Sequence, residues 1–353
     1  MNLNQINVID LSTVLAGPSV GTFLAELGAK VTKIEHPKLP DVTRSWKQES
    51  EASTNTTSAY FSSINYKKSY LKLDLSDEKD HQEFIDKIKT ADVLISNFKK
   101  GDDVKLNITD TALRKVNPKL IIAKITGFGL ESDRVAYDLI LQAESGFMSI
   151  NGEKNAGPLK MPVALIDVLA AHQLKEAILL ALLHRYTEGE AKTVHVSLYD
   201  AAVCSLTNQA SNYLMTKSLP KRLGNLHPNI APYGEIFKTK NDKQITFAIG
   251  SDRHFIDLCT TLKLEIMDDP HFATNQLRVQ NREKLETLIQ QKVKHLNSDH
   301  LMNQLHHLNV PCALIKNINE VIDSNMSQDL IRSEIIDGEP TSRITSIGFN
   351  WTD

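Results

Sequence analysis

The chain has 353 residues, with 40 Lys and Arg against 43 Asp and Glu and a formal net charge of −3 at pH 7. That balance leaves neither a global basic field for nucleic acid nor an acidic tail. Its longest strongly apolar run, residues 177–183, is far short of the ~20 residues that span a bilayer.

The first 126 residues read as alternating strand and helix. Residues 6–11 form a short apolar strand, and Gly17-Pro18-Ser19 turns into a helix carrying Val20, Phe23, Leu24 and Leu27, stopped by Gly28. Residues 30–34 are a second strand, and the Ser/Thr/Asn-rich stretch 48–58 is a loop or flap. Strands at 70–75, 93–96 and 120–125 alternate with an exposed helix at 78–89 and a short one at 111–116. This alternation predicts a Rossmann-like, mostly parallel sheet covered on both faces. Residues 138–215 are helix-dominated, with one strand at 194–198. The Pro/Gly/Asn-rich stretch 220–232 reads as a boundary. Beyond it, a smaller α/β unit starts with a strand at 244–249, and alternation in 341–353 predicts a strand returning to the first domain. The expected layout is a large domain over 1–220, a small domain over 221–325 and a returning segment over 326–353.

Cys204, Cys259 and Cys312 are dispersed and form no CxxC pair. They predict buried thiols in a reducing compartment rather than disulfides or a zinc site. The start MNLNQINVIDLS lacks the basic and apolar regions of a secretory signal, so the expected location is cytoplasmic. The histidines include no HxH or HExxH spacing, and no metal is expected.

Four places carry candidate chemistry. The first strand, glycine turn, helix and Glu35 follow a dinucleotide-binding layout. However, the turn reads LAGPSVG rather than GxGxxG, and Pro18 removes an N–H that would face a pyrophosphate. That argues against nicotinamide, while leaving the helix start open to another phosphate-bearing ligand. Asn97-Phe98-Lys99-Lys100-Gly101 follows a buried strand and, with Lys105, offers charge and a stacking face; alone it reads as a solvated loop. Asp167 sits in the run MPVALIDVLAA entering a long helical pattern, as a helix cap or as a carboxylate held for chemistry. Caps outnumber nucleophiles, so this segment by itself reads as a cap. Asp138 is a second carboxylate, and two in one pocket would push their pKa values apart.

Taken together, the segments resemble the family III CoA-transferases, which include formyl-CoA transferase, carnitine CoA-transferase and alpha-methylacyl-CoA racemase. The ordered set is VIDLSTVLAGP (8–18), LAELGAKVTKIEHP (24–37), DVTRSW (41–46), INYKKSYLKLDL (64–75), ADVLISNF (91–98), NPKLIIAKITGFG (117–129), YDLILQAESGFMSINGE (137–153), MPVALIDVLA (161–170), VHVSLYDAA (194–202) and RLGNLHPNIAPY (222–233).

The resemblance implies an acyl-CoA:carboxylate CoA-transferase in which Asp167 is the nucleophile, working through an aspartyl-acyl anhydride and an aspartyl-CoA thioester. Helix-start amides near Asp167 would stabilise the oxyanions. Leu15, Ala16, His36, Leu73, Asp74, Asn97, Phe98 and Lys105 would contact the nucleotide of coenzyme A, and Asp138 would lie near the acyl group. It also implies an acyl-CoA donor, a carboxylic acid acceptor and an intertwined homodimer, with no nucleic acid, membrane, metal or nicotinamide involved.

Departures open two alternatives. Tyr137-Asp138 replaces the His-Asp pair of the racemase branch, which leaves an acyl-CoA racemase or isomerase without its histidine base. Ala171 stands where relatives have glycine, close to the pantetheine arm by analogy. With a C-terminal extension missing after Asp353, this points to a catalytically silent CoA-binding homologue. RLGNLHPNIAPY replaces a glycine-rich lid, which argues against oxalate as acceptor.

Overall fold

A computed structural model describes residues 3–350. The chain forms two compact units. The first gathers residues up to Met148, Lys160–Leu219 and the segment from Asp329; the second gathers Ser149–Leu159 and Pro220–Gln328.

The first unit is built on six parallel strands: β1 (Asn7–Asp10), β2 (Lys30–Glu35), β3 (Lys68–Lys72), β4 (Val93–Ser96), β5 (Ile121–Thr126) and β6 (Thr193–Ser197). Their order is β3-β2-β1-β4-β5-β6. Central strands with helices on both faces need apolar side chains throughout, which is why VLIS of β4 is buried at every position. The first helix, Ala16–Glu26, lays Val20 and Leu24 on one face. The long helix Leu165–Glu188 joins it with Ile166, Ala170, Leu174 and Ile178, a stripe of helical period. It ends at Gly189, whose φ of +77° supplies a left-handed cap. The other face is closed by Phe84, Ile88 and Leu113. The helix Glu78–Ile88 is therefore amphipathic, not simply exposed.

In the second unit, three antiparallel strands, β7 (Tyr233–Lys238), β8 (Gln244–Ala248) and β9 (Cys312–Leu314), run in that order. Helices cover them around Phe237, Phe247, Phe255, Leu258 and Leu301.

The strand expected over 341–353 is in fact the second arm of a hairpin, and its last three residues lie outside the described ones. β10 (Ile331–Ile336) and β11 (Glu339–Ile344) pair antiparallel. Asp337 and Gly338, both at positive φ (52° and 87°), supply the mirror-image turn that such hairpins favour. The hairpin belongs to the first unit without joining its six-stranded sheet. Arg343 pairs with Glu26 at 2.7 Å, Arg44 with Asp337 at 2.8 Å, and the Glu334 carboxylate accepts the Lys67 N–H.

Of the three thiols only Cys259 is buried; Cys312 is half-buried and Cys204 is exposed at the end of the helix Leu198–Cys204. Among the described residues, no helix is long and apolar enough to cross a membrane.

Candidate active site

In an open parallel sheet, ligands bind outside the carboxyl ends of the strands, where the strand order reverses. Here that point lies between β1 and β4, so the loops after Asp10 and Ser96 define the mouth. The first is anchored by buried charge. Lys33 and Asp41 pair at 3.0 Å with both side chains fully buried, as do Lys68 and Asp10 at 2.8 Å. Burial alone would raise the Asp10 carboxyl, but Lys68 and Lys33 outweigh it and hold it below its ordinary value. The Lys33 ammonium also donates to the Ser12 carbonyl at 2.7 Å, and Asp41 accepts the Val14 N–H at 3.3 Å. Val14 has a φ of +71°, a left-handed conformation that a β-branched residue adopts only under outside constraint. Removing one partner of such a buried pair typically costs about 3–5 kcal/mol, because a charge is left uncompensated. The loop shape therefore depends on the network.

Asn97 ties the two loops together. Its amide donates to the Thr13 carbonyl at 2.9 Å and its side-chain oxygen accepts the Thr13 N–H at 3.0 Å. Glu35, at the position where a dinucleotide fold presents an acid to ribose, is instead clamped by Arg44 at 2.7 Å and by the Asp41 N–H at 3.0 Å.

Between these loops opens a cavity of about 580 Å³ lined by Thr13 to Ala16, Asn97 to Gly101, Lys124, Arg134, Tyr137 and Asp167. Asp167 is only 7 % exposed and stands in the first turn of the long helix. It is no cap: the N-cap position is Ala164, without a side-chain cap. The cap comes instead from Asp138, at the start of the helix Asp138–Glu144. Its Oδ1 accepts the Ile166 N–H at 2.7 Å and, at 3.4 Å, that of Asp167. Its Oδ2 accepts from Gln142 at 2.6 Å, and Gln142 in turn accepts the Met161 N–H at 2.8 Å. The helix-start amides expected to face an oxyanion are thus already engaged.

Burial, and then the charge of Asp138, push the Asp167 carboxyl up to about 7. Tyr60, on the helix Ala59–Ser63, is pushed up to about 12 by burial and by the charges of Asp167, Asp138 and Asp41. That places the phenol within electrostatic reach of the carboxylate pair. Sequence reasoning missed Tyr60, because it lies just past a polar loop and carries no motif.

Leu15, Ala16, Asn97 and Phe98 line the cavity together with Asp167. His36, Leu73 and Asp74 stand outside that lining, at the carboxyl ends of β2 and β3. His36 and Asp74 pair at 3.3 Å, and Leu73 is buried in the core. Lys105 is exposed, paired with Asp102 at 3.1 Å, and not part of the wall. The wall's cations are Lys99, Lys100, Lys124 and Arg134. Lys100 pairs with Glu131 at 2.9 Å, Lys124 with Asp110 at 2.5 Å and Arg134 with Glu144 at 2.6 Å. Lys124 was legible in principle, as a lone cation inside the apolar strand IIAKIT. Ala171 faces away from this cavity and lines a different one.

The comparisons bear on this arrangement. The model of CoA-transferase family III matches residues 3–349. A succinate–glutarate CoA-transferase from Agrobacterium fabrum is 38% identical over 326 residues, covering 90% of this chain and 81% of that protein. An acetyl-CoA:oxalate CoA-transferase from Acetobacter aceti is 32% identical over 334 residues, covering 93% of this chain and 84% of that one. The solved structure of a CaiB/BaiF family protein from Brucella suis matches with a TM-score of 0.84 at 33% identity, covering 99% of this chain and 93% of that one. Sequence and fold agree across nearly the whole length: the chain belongs to CoA-transferase family III, enzymes that use CoA thioesters as substrates.

Proposed function

We propose that this enzyme moves CoA from an acyl-CoA to a free carboxylate through covalent intermediates on Asp167. The observation that carries the reading is a buried carboxylate, used by no cap, opening into a cavity whose wall also presents Lys99, Lys100, Lys124 and Arg134. The Asp167 carboxylate attacks the thioester carbonyl, the C–S bond breaks, and an acyl-aspartyl anhydride forms as CoA thiolate leaves. The thiolate then attacks the aspartyl carbonyl, which releases the donor acid and leaves an aspartyl-CoA thioester. An acceptor carboxylate repeats these steps in reverse, forming a new acyl-CoA and regenerating Asp167. Asp138 holds the helix start and keeps Asp167 from ionising too easily. With the amides of Ile166 and Asp167 taken, the uncapped start of the first helix at Ala16 is the donor we assign to the oxyanions.

Relatives named for succinate and glutarate support short dicarboxylates as the acids exchanged. Incubated with a panel of short acyl-CoAs, the protein is expected to gain the mass of the acyl group or of CoA on the peptide containing Asp167. A panel that leaves that peptide unmodified would remove the covalent reading.

Leu15, Ala16, Asn97 and Phe98 are assigned to the CoA arm, with Lys99 and Lys100 facing phosphate. His36, Leu73 and Asp74 are assigned to the adenosine end, and Lys105 approaches the nucleotide from the segment after β4. Lys100→Ala should weaken CoA binding about tenfold and reduce its salt dependence, because a phosphate contact is screened. Phe98→Ala should weaken binding without changing that dependence. Lys105→Ala should have the smaller effect of the two lysines, since Lys105 stands outside the cavity wall that Lys100 lines. Calorimetry at two salt concentrations separates these outcomes.

The family resemblance also supports an intertwined homodimer. Leu180, Leu183 and Tyr186 on the long helix, and Leu214 and Met215 on the helix Thr207–Thr216, leave large apolar surface for a second copy. Two differently tagged pools should stay unmixed for days in native buffer and scramble only after unfolding. Rapid exchange would indicate an ordinary dimer.

A further inference from the structure

The long helix separates two cavities. Asp167 faces the first. Val168, Ala171, His172 and Lys175, spaced along one helical face, line the second, of about 290 Å³, and Arg343 of β11 lies across from them.

The unmatched group there is Lys175. Lys175 is 7 % exposed, yet its ammonium has no hydrogen-bond or ion-pair partner among the described residues and lies 5.1 Å from the centre of the Phe23 ring. The carboxylate acting on it is Glu26. That group is already saturated: it takes Arg343 at 2.7 Å, the Ser346 N–H at 2.8 Å and, through a very short contact, the Ser346 hydroxyl. Burial and then Lys175 hold the His172 imidazole below its ordinary value, against the charge of Glu176. Arg343 is also acted on by Glu334, so the ammonium left without a carboxylate of its own is that of Lys175. Burial lowers Lys175 to about 8, with Glu26 opposing and Arg343 adding to the shift, so near neutral pH the ammonium is still mostly charged. An uncompensated buried charge is costly, and a single negative charge would cancel it. A phosphate dianion would overshoot beside Glu26.

We propose that this second cavity is a ligand site for one short-chain monocarboxylate, its carboxylate on the Lys175 ammonium and its alkyl tail against Val168, Ala171 and Ile344. The site stands apart from Asp167 and does not depend on the transfer chemistry.

The test reads Lys175 directly in the unaltered protein. Lysines are acetylated with an N-hydroxysuccinimide ester at pH near 8, in butyrate or in chloride of equal ionic strength, and each site is followed by peptide mass spectrometry. Butyrate at several times its dissociation constant should slow modification of Lys175 about fivefold, while exposed lysines react at unchanged rates. Calorimetry of butyrate with Lys175→Met should lose one binding event that the native chain shows. Equal Lys175 rates in butyrate and chloride, or undiminished butyrate binding by Lys175→Met, would overturn the site. Equal protection by inorganic phosphate would overturn the assignment to a monocarboxylate.

Discussion

Replacing Asp167 by Ala is expected to lower kcat on the order of 10⁴-fold or more, the loss seen when a covalent nucleophile is removed, while CoA affinity stays within a few-fold. Asp167→Asn keeps the shape and removes the charge, so it should be equally inactive; near-native turnover in a pure sample would refute the nucleophile. Stability should move the other way. In the unfolded chain this carboxyl ionises near 3.8, and in the folded chain near about 7. Between those values the folded state holds a proton that the unfolded state has lost, so stability falls as pH rises from about 4 to about 7 and stays low above it. Asp167→Asn removes that loss and should gain on the order of a few kcal/mol at alkaline pH, with little change under acid conditions. Urea unfolding at the two pH extremes measures both halves of the claim.

The second large effect belongs to Asp138. The native enzyme should show a rate that rises with pH through about 7, as Asp167 becomes the carboxylate that attacks. Asp138→Asn removes the nearby like charge, and the acid limb should shift to lower pH. It should not fall all the way to the ordinary value, because burial, the larger cause, remains. The Asn side-chain oxygen still accepts the Ile166 N–H, but its amide would face the Gln142 amide that Oδ2 now accepts. Losing that contact loosens the Met161 end of the helix start, at a cost of about 1–3 kcal/mol, so kcat should drop as well. An acid limb unmoved in initial-rate profiles would show that the two carboxylates are not coupled.

Much of the first unit was legible because β1, β4 and β5 are buried on both faces and read as apolar runs, and because the segments recur in a fixed order along the chain. The long helix was legible from its apolar stripe, but its cap was not. PVALID offers no Ser, Thr, Asn or Asp at the N-cap, and the group that replaces one comes from 28 residues upstream. Local pattern carries no information about such a partner. Glu35 shows the opposite failure, since its position suggests a ribose contact while Arg44 occupies it. Lys175 was passed over inside that same apolar stripe, although a cation on a buried helical face was a signal in its own right.

The hairpin β10–β11 carries a consequence for the order of events during synthesis. Arg343, Glu334 and Asp337 complete contacts with Glu26, Lys67 and Arg44, residues translated nearly 300 positions earlier. While the ribosome is still making the middle of the chain, Glu26 sits in the nascent fold without Arg343, and its carboxylate has to remain hydrated. The first unit therefore cannot close when its sheet is finished, and closure should follow release of the last segment. Until then, the hydrated Glu26 carboxylate acts on the Lys175 ammonium without Arg343 competing for it.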